Sequence, residues 1–268
     1  LRQAVGVRDR RLRLVGQIQH GWSAGACVDP EPQPLYVWGD RSLGGLQAAG
    51  YTGRVEAIGA PYLYLPPALS RAELGRIPKS LLAIPEHSTP GYPYAEAYAY
   101  WERYARWLED VRRELELEQT TVCLHCNDYD DAAVCHILKR YGHVVACCGL
   151  PSSARTTYLD RLRAYVRQHG LTTSNAVGSG LFYAAYEGVP VFVGGPEPVR
   201  EPAAPNVTEV WHPQVHDPAW IDREFPGLRV PAAHATTHVE RAKPELRVVH
   251  VRERAALWEV LTFALVAE

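Results

Sequence analysis

Apolar and polar residues alternate over 12–19, Leu-Arg-Leu-Val-Gly-Gln-Ile-Gln, as they do in a half-buried strand. His20-Gly21-Trp22-Ser23 follows at once and reads as the loop at that strand's carboxyl end. Residues 35–38, Leu-Tyr-Val-Trp, predict a second strand. Residues 40–50 open on Asp40, a good N-cap, and close on Gly50, a good C-cap, so they read as a short helix. A third strand is expected at 55–58, closed by Gly59-Ala60-Pro61. Pro66-Pro67 and the polar stretch to Lys79 carry turn formers without periodicity, which predicts a hinge.

A second series begins at Ser80. Strands are expected at 80–84, 120–125, 143–147, 171–174 and 189–193, with helices at 95–118, 130–141, 156–169 and 177–187. In the longest helix Tyr98, Trp101, Tyr104, Ala105, Leu108 and Val111 recur at helical spacing. Gly142, Gly170 and Gly188 read as helix ends. Strand and helix alternating through short connections predict a parallel sheet covered on both faces. Ligands of such sheets bind outside the carboxyl ends of the strands. Candidate positions are therefore His20 and the segments 85–88, 125–128, 173–179 and 194–196. Residues 196–205 are Pro-rich and read as irregular, and 207–250 give no clear pattern. His212, His216, His234 and His238 fall in that stretch and read as loop residues. Residues 252–267 are mostly apolar around Trp258 and predict a buried terminal helix.

Composition narrows the classes without naming one. The chain has 268 residues, with 28 basic and 30 acidic side chains and a net charge of −2. That balance gives no electrostatic pull toward nucleic acid. Hydrophobic residues make up 47%, which excludes disorder throughout. No apolar run reaches the roughly 18–20 residues that span a bilayer. Six cysteines in this length do not make a disulfide scaffold and suit a reducing cytoplasm. Arginine outnumbers lysine 25 to 3, spread along the chain as a GC-rich genome would give. There is no Met and the first residue is Leu1, so residues are expected to be missing from the string.

Four segments could carry chemistry. In Thr172-Thr-Ser174-Asn175-Ala-Val-Gly178-Ser179-Gly180-Leu-Phe182 a strand ends, a small polar turn follows and a helix begins. That arrangement aims backbone N–H groups and a helix dipole at one point. Gly178 and Gly180 let a ligand approach, and Ser179 adds a hydroxyl. It is either a diphosphate site or an ordinary strand–helix turn. It has no P-loop Lys, and no dinucleotide fingerprint follows the first strand. His20, beside Gly21 on a strand-end loop, can take a proton at neutral pH or simply bond nearby backbone. Glu86 and His87 follow a buried strand in Ile84-Pro-Glu-His-Ser-Thr-Pro90 and could contact a ligand or be solvated. Cys123, His125 and Cys126, with Cys135, Cys147 and Cys148 further on, invite a metal. Cys123 and Cys126 would face opposite sides of a strand, however, so buried core thiols are the better reading and no metal is expected.

Taken in order, these segments resemble transferases of the GT-B architecture, nearest the CDP-glycerol glycerophosphotransferase and capsule-polysaccharide group. The resemblance rests on His20-Gly21, Gly59-Ala60-Pro61, Ala83-Ile84-Pro85, Leu124-His125 and the run from Gly178-Ser179 through Gly188-Val189-Pro190. It covers roughly residues 15–195. The sequence departs from that group at Asn175-Ala176-Val177, where an Asp is usual, and at Gly178, which stands in place of a Ser.

The resemblance implies an α/β, GT-B-like fold of two Rossmann-type parallel domains facing a cleft, the N-terminal one short or incomplete. An acceptor-side domain would span 1–66, a linker 67–79, a donor-binding domain 80–205 and a C-terminal extension 206–268. It implies a glycosyltransferase or glycerophosphotransferase-like enzyme of polysaccharide or glycoconjugate biosynthesis. The donor would be a nucleotide sugar or CDP-polyol and the acceptor a glycan or small molecule, with no cofactor and no essential metal. Donor contacts would come from Ser174, Asn175, Gly178, Ser179, Gly180, His125, Glu86 and His87. His20 would act as general base across the cleft. The enzyme would be cytoplasmic, with peripheral association at the inner face of the membrane compatible with its role. Two alternatives stay open: a UDP-sugar 2-epimerase or hydrolase using Glu86 and Asp128, and a non-catalytic nucleotide-sugar-binding protein.

Overall fold

The structure, a computed structural model, describes residues 6, 12–19, 21–22, 34–48, 50–66, 69–70, 72–88, 93–149, 157–201, 213–261 and 263–265. In chain order its strands are β1 (Leu12–Leu14), β2 (Gln17–Ile18), β3 (Leu35–Val37), β4 (Val55–Ala57), β5 (Ile77–Ala83), β6 (Gln119–Leu124), β7 (Val144–Cys147), β8 (His169–Ser174), β9 (Val191–Val193) and β10 (Phe263–Leu265). Its helices are α1 (Asp40–Ala48), α2 (Ala97–Glu114), α3 (Cys126–Tyr129), α4 (Ala132–Arg140), α5 (Thr157–Gln168), α6 (Ser179–Tyr186), α7 (Pro218–Glu224), α8 (Val239–Leu246) and α9 (Arg254–Val260). The fold is mixed α/β, with parallel sheets of three and five strands. The chain divides into two compact units, Leu1–Pro67 with Arg241–Glu268, and Ala68–Glu240. No helix among the described residues is long and apolar enough to cross a membrane.

In the first unit β3 lies between β2 and β4, all parallel. Its side chains alternate between two small cores. Tyr36 packs with Ile58, Leu257 and Leu261, while Leu35 and Val37 pack with Leu46 of α1. The single strand expected over 12–19 is broken in two. Gly16 sits at φ +102°, and a Cβ there would lie 2.1 Å from the Pro34 carbonyl oxygen. The chain turns at that point, so β1 pairs antiparallel with β10 and β2 joins the parallel sheet. The terminal helix is shorter than expected, and strand β10 follows it. Leu257 is buried, but Trp258 is 47% exposed, because consecutive helical residues point about 100° apart.

In the second unit the strand order is β7-β6-β5-β8-β9. α2 covers the sheet with Trp101, Tyr104, Ala105, Leu108 and Val111, as the spacing predicts. The residue that continues this face toward the N-terminus is Tyr100, fully buried, rather than the exposed Tyr98. The Tyr100 hydroxyl explains the choice, because it accepts a hydrogen bond from Asn175 Nδ2 at 3.0 Å. β5 starts at Ile77, inside the stretch read as a hinge. Pro78 is tolerated in this central strand because the pairing with β8 is irregular between Ile77 and Leu81. Gly170, read as a helix end, is the second residue of β8. A Cβ there would lie 1.8 Å from the Pro78 carbonyl oxygen, so it is this crossing that needs glycine. The stretch that gave no pattern contains α7 and α8.

Gly16→Ala forces a side chain into a left-handed conformation against backbone. It is expected to cost about 2 kcal/mol, and a thermal melt should show a loss of several degrees.

Candidate functional site

β5 stands at the centre of the five-stranded sheet. From it the chain passes through α2 to β6 on one side, and later through α5 to β8 on the other. The winding direction therefore reverses between β5 and β8, the position at which open α/β sheets bind their ligands. Asn175, just past β8, bridges the two strand ends. Its Oδ1 accepts from the Glu86 backbone N–H at 2.9 Å. Its Nδ2 donates to the Tyr100 hydroxyl and, at 3.2 Å, to the Pro196 carbonyl. Ser174 is also buried, and its Oγ accepts from the Ala176 N–H at 3.3 Å. These two residues build the turn from within.

Glu86 is held by partners from distant sequence. Its Oε2 lies 2.8 Å from Arg200 Nη2 and 2.6 Å from His216 Nε2, and the Arg200 and His216 side chains are only 5% and 1% exposed. Arg200 Nη2 also donates to the His87 carbonyl at 3.0 Å, and its guanidinium lies over the Tyr94 ring. His216 Nδ1 faces the Asn175 carbonyl at 3.1 Å. Each nitrogen of the His216 ring thus faces an oxygen, the Asn175 carbonyl on one side and the Glu86 carboxyl on the other. Burial pushes the Glu86 carboxyl up, but the His216 and Arg200 contacts outweigh it and hold the group below the usual carboxylate range. Neither Arg200 nor His216 was singled out from sequence. His216 reads as a loop residue there, and nothing in its local pattern signals a carboxylate 130 positions upstream.

Toward the β6 side, the His87 and His125 rings stack with centroids 4.1 Å apart. His87 Nδ1 donates to the Ser88 carbonyl at 2.9 Å, so in the neutral ring Nε2 is the acceptor. That nitrogen has no hydrogen-bond partner among the described residues. His125 is the N-cap of α3 and its Nδ1 accepts from the Asn127 N–H, so in the neutral ring its proton sits on Nε2. One ring thus presents an acceptor beside the other's donor. Ser88 donates to buried Asp128 twice, from its hydroxyl at 2.6 Å and its backbone N–H at 3.1 Å. Burial pushes the Asp128 carboxyl up by more than those two bonds lower it.

The Gly178-Ser179 turn opens α6, whose N-cap is Gly178. A Cβ on Gly178 would meet nothing within 4 Å, so space lies open there. Gly180 differs, because a Cβ would come 3.0 Å from Ile84 Cδ1. Its glycine serves packing of α6 on the end of β5 and not ligand approach. The Ser179 hydroxyl bonds the Tyr183 side chain one turn on.

No protein-family model matches the chain, and no curated protein matches it either. The site therefore rests on its own geometry. The structure brings Glu86, His87, His125, Ser174 and Asn175 together at the carboxyl edge of the sheet, and the Ser179 turn follows β8 there. His20 lies outside the described residues. The described residues include no group of three His, Cys, Asp or Glu placed to hold a metal ion.

A carboxyl held low in the folded state stabilises it above the unfolded value of about 4.3, and that contribution is lost as pH falls through the folded value. Glu86→Gln should therefore melt below wild type at neutral pH, with the gap narrowing as pH falls from about 5 to 3. Melting curves across that range check it. A constant gap would mean the Glu86 charge adds nothing.

Proposed function

We propose that this chain is a GT-B-type transferase using a nucleotide-activated donor, a nucleotide sugar or CDP-polyol. The observation that carries the reading is the cluster of polar groups at the switch point between β5 and β8, with an open glycine turn and a helix N-terminus at its edge. The donor's diphosphate lies against Gly178, Ser179 and the first N–H groups of α6, which point outward and favour negative charge. His125 Nε2–H and His87 Nε2 lie on the β6 side and suit the sugar or polyol hydroxyls. Glu86, Asn175, Arg200 and His216 act behind them as positioning residues, since their polar atoms are committed to one another.

Transfer needs an acceptor hydroxyl to lose its proton as the donor bond breaks. His20 takes that proton in this reading, as the resemblance implies. Leaving-group charge is stabilised by the fixed dipoles of the α6 turn, without an essential metal. The acceptor is a glycan or small molecule, and nucleic acid has no role.

A second reading, a nucleotide-sugar epimerase or hydrolase, is favoured by Asp128. A buried carboxyl pushed above its usual range beside His87 suits proton transfer at carbon. The two differ in what happens without an acceptor. Release of free sugar, or its isomerisation, from the nucleotide sugar alone supports the second.

Nucleotide binding is tested by thermal shift with UDP and CDP in the presence of EDTA. A rise of a few degrees is expected at millimolar nucleotide, and Ser179→Ala should roughly halve it. The absence of any shift with either nucleotide overturns the binding site. For the base, His20→Ala should abolish transfer at least a hundredfold while keeping the nucleotide shift. Normal turnover by that variant removes His20 from the mechanism.

A further inference from the structure

The cysteines of the second unit are not equivalent. β6 and β7 pair in parallel, with Cys123 opposite Ala146 and Leu124 opposite Cys147. Side chains alternate faces along a strand, so position 148, two beyond Ala146, returns to the face of Cys123. The two sulfurs meet there, with Sγ atoms 3.4 Å apart. Both residues are buried, at 6% and 2% exposure. Among the described residues no other two thiols are in hydrogen-bonding contact. Cys126 lies against His125, Cys135 donates to the Tyr129 carbonyl, and Cys147 accepts from the Gly149 N–H.

A hydrogen bond from Cys148 pulls the Cys123 thiol below its ordinary value, and burial opposes it less strongly. Cys126, Cys135 and Cys147 are each pushed up by burial. The Cys123–Cys148 contact, with burial, pushes the Cys148 thiol well up, so within the pair Cys123 is the thiol favoured as the nucleophile. Its partner is already in place. A disulfide S–S bond is about 2.0 Å, so the sulfurs must close by a little over an ångström. Cys148 lies just past the last residue of β7, where the sheet ladder no longer fixes the backbone.

We propose that Cys123 and Cys148 form a redox pair that closes to a disulfide on reaction with a hydroperoxide. Cys123 thiolate attacks a peroxide oxygen, the O–O bond breaks, and hydroxide leaves and takes up a proton as water. The Cys148 thiol then attacks the Cys123 sulfenic sulfur and gives up its proton as the S–O bond breaks, and the departing hydroxide takes that proton to leave as a second water. Two thiols give up two electrons and two protons, and hydrogen peroxide becomes two waters. Peroxide is small enough to enter by a local opening at the strand end, where a larger disulfide oxidant is excluded. The bond ties the carboxyl end of β6 to the segment after β7, two residues from His125. The redox state of the pair thus bears on the stacked His87–His125 wall, whatever ligand that wall serves.

The test treats the full chain with hydrogen peroxide, unfolds it in denaturant, alkylates the remaining thiols and maps the peptides by mass. The expected product is a dithiothreitol-reversible link between the Cys123 and Cys148 peptides, with two of the six thiols lost. Cys148→Ser should abolish the link and leave a sulfenic acid at Cys123 that dimedone traps, while Cys135→Ser should change nothing. Circular dichroism confirms that each variant is folded. Where Cys148→Ser unfolds, the wild-type map alone decides. The proposal is overturned if Cys123 and Cys148 both remain alkylatable after peroxide, or if the disulfide joins any other pair.

Discussion

The polar cluster at the β5–β8 switch point depends on one side chain. Asn175 accepts from the backbone after β5, donates to α2 through Tyr100 and to the chain at Pro196, and offers its own carbonyl to His216. Four segments distant in sequence are held at one point by a residue 6% exposed. An amide suits this position because it supplies donors and an acceptor in fixed geometry without a charge to desolvate. An Asp in the same place would offer only acceptors when ionised and would repel Glu86. The amide at this position thus has a structural reason within this chain.

The charges around Asn175 follow from the same arrangement. Burying Glu86, Arg200 and His216 costs desolvation energy that their mutual attraction need not exceed, so the cluster is weak grounds for stability by itself. What it does supply is a meeting point. Glu86 Oε2 lies within ion-pair distance of both partners, so the segments carrying Arg200 and His216 converge on one carboxyl. Tyr94 reinforces that convergence. Its hydroxyl donates to the Glu86 carbonyl, its ring lies under the Arg200 guanidinium, and its backbone forms a bridge with Arg200.

Periodicity made the second unit legible from β5 to β9, because most strands and helices there are long enough to show their own repeat, whereas α7 lies in the stretch without a pattern. The first unit reads less well for the same reason. Its strands have two or three residues, and β1 finds its partner at residues 263–265, beyond the reach of any local pattern. The strand-end rule points to Glu86, His87, His125 and Asn175, and the structure places these together at the carboxyl edge of the sheet. Arg200 and His216 were not, since a buried ion pair leaves no trace in the sequence around either partner. Gly180 marks a further limit, because glycine for ligand approach and glycine for packing against Ile84 look the same in sequence.

Hydrogen-bond accounting also narrows what can touch a ligand. Asn175 and Ser174 are buried and spent on the turn. Glu86 is engaged by two internal partners, and Arg200 and His216 are almost wholly covered. Among the described residues, His87 Nε2 and the backbone N–H groups that open α6 stand at this edge, beside the His125 ring and the Ser179 hydroxyl, which also bond within the chain. This set has donors and one fixed acceptor but no exposed cation of its own. An anion held here is held by dipoles, in keeping with a chain whose net charge is only −2. On the proposed reading, a diphosphate would be held at such a site through direction more than through charge. Its affinity should therefore depend less on ionic strength than that of a lysine- or arginine-lined pocket.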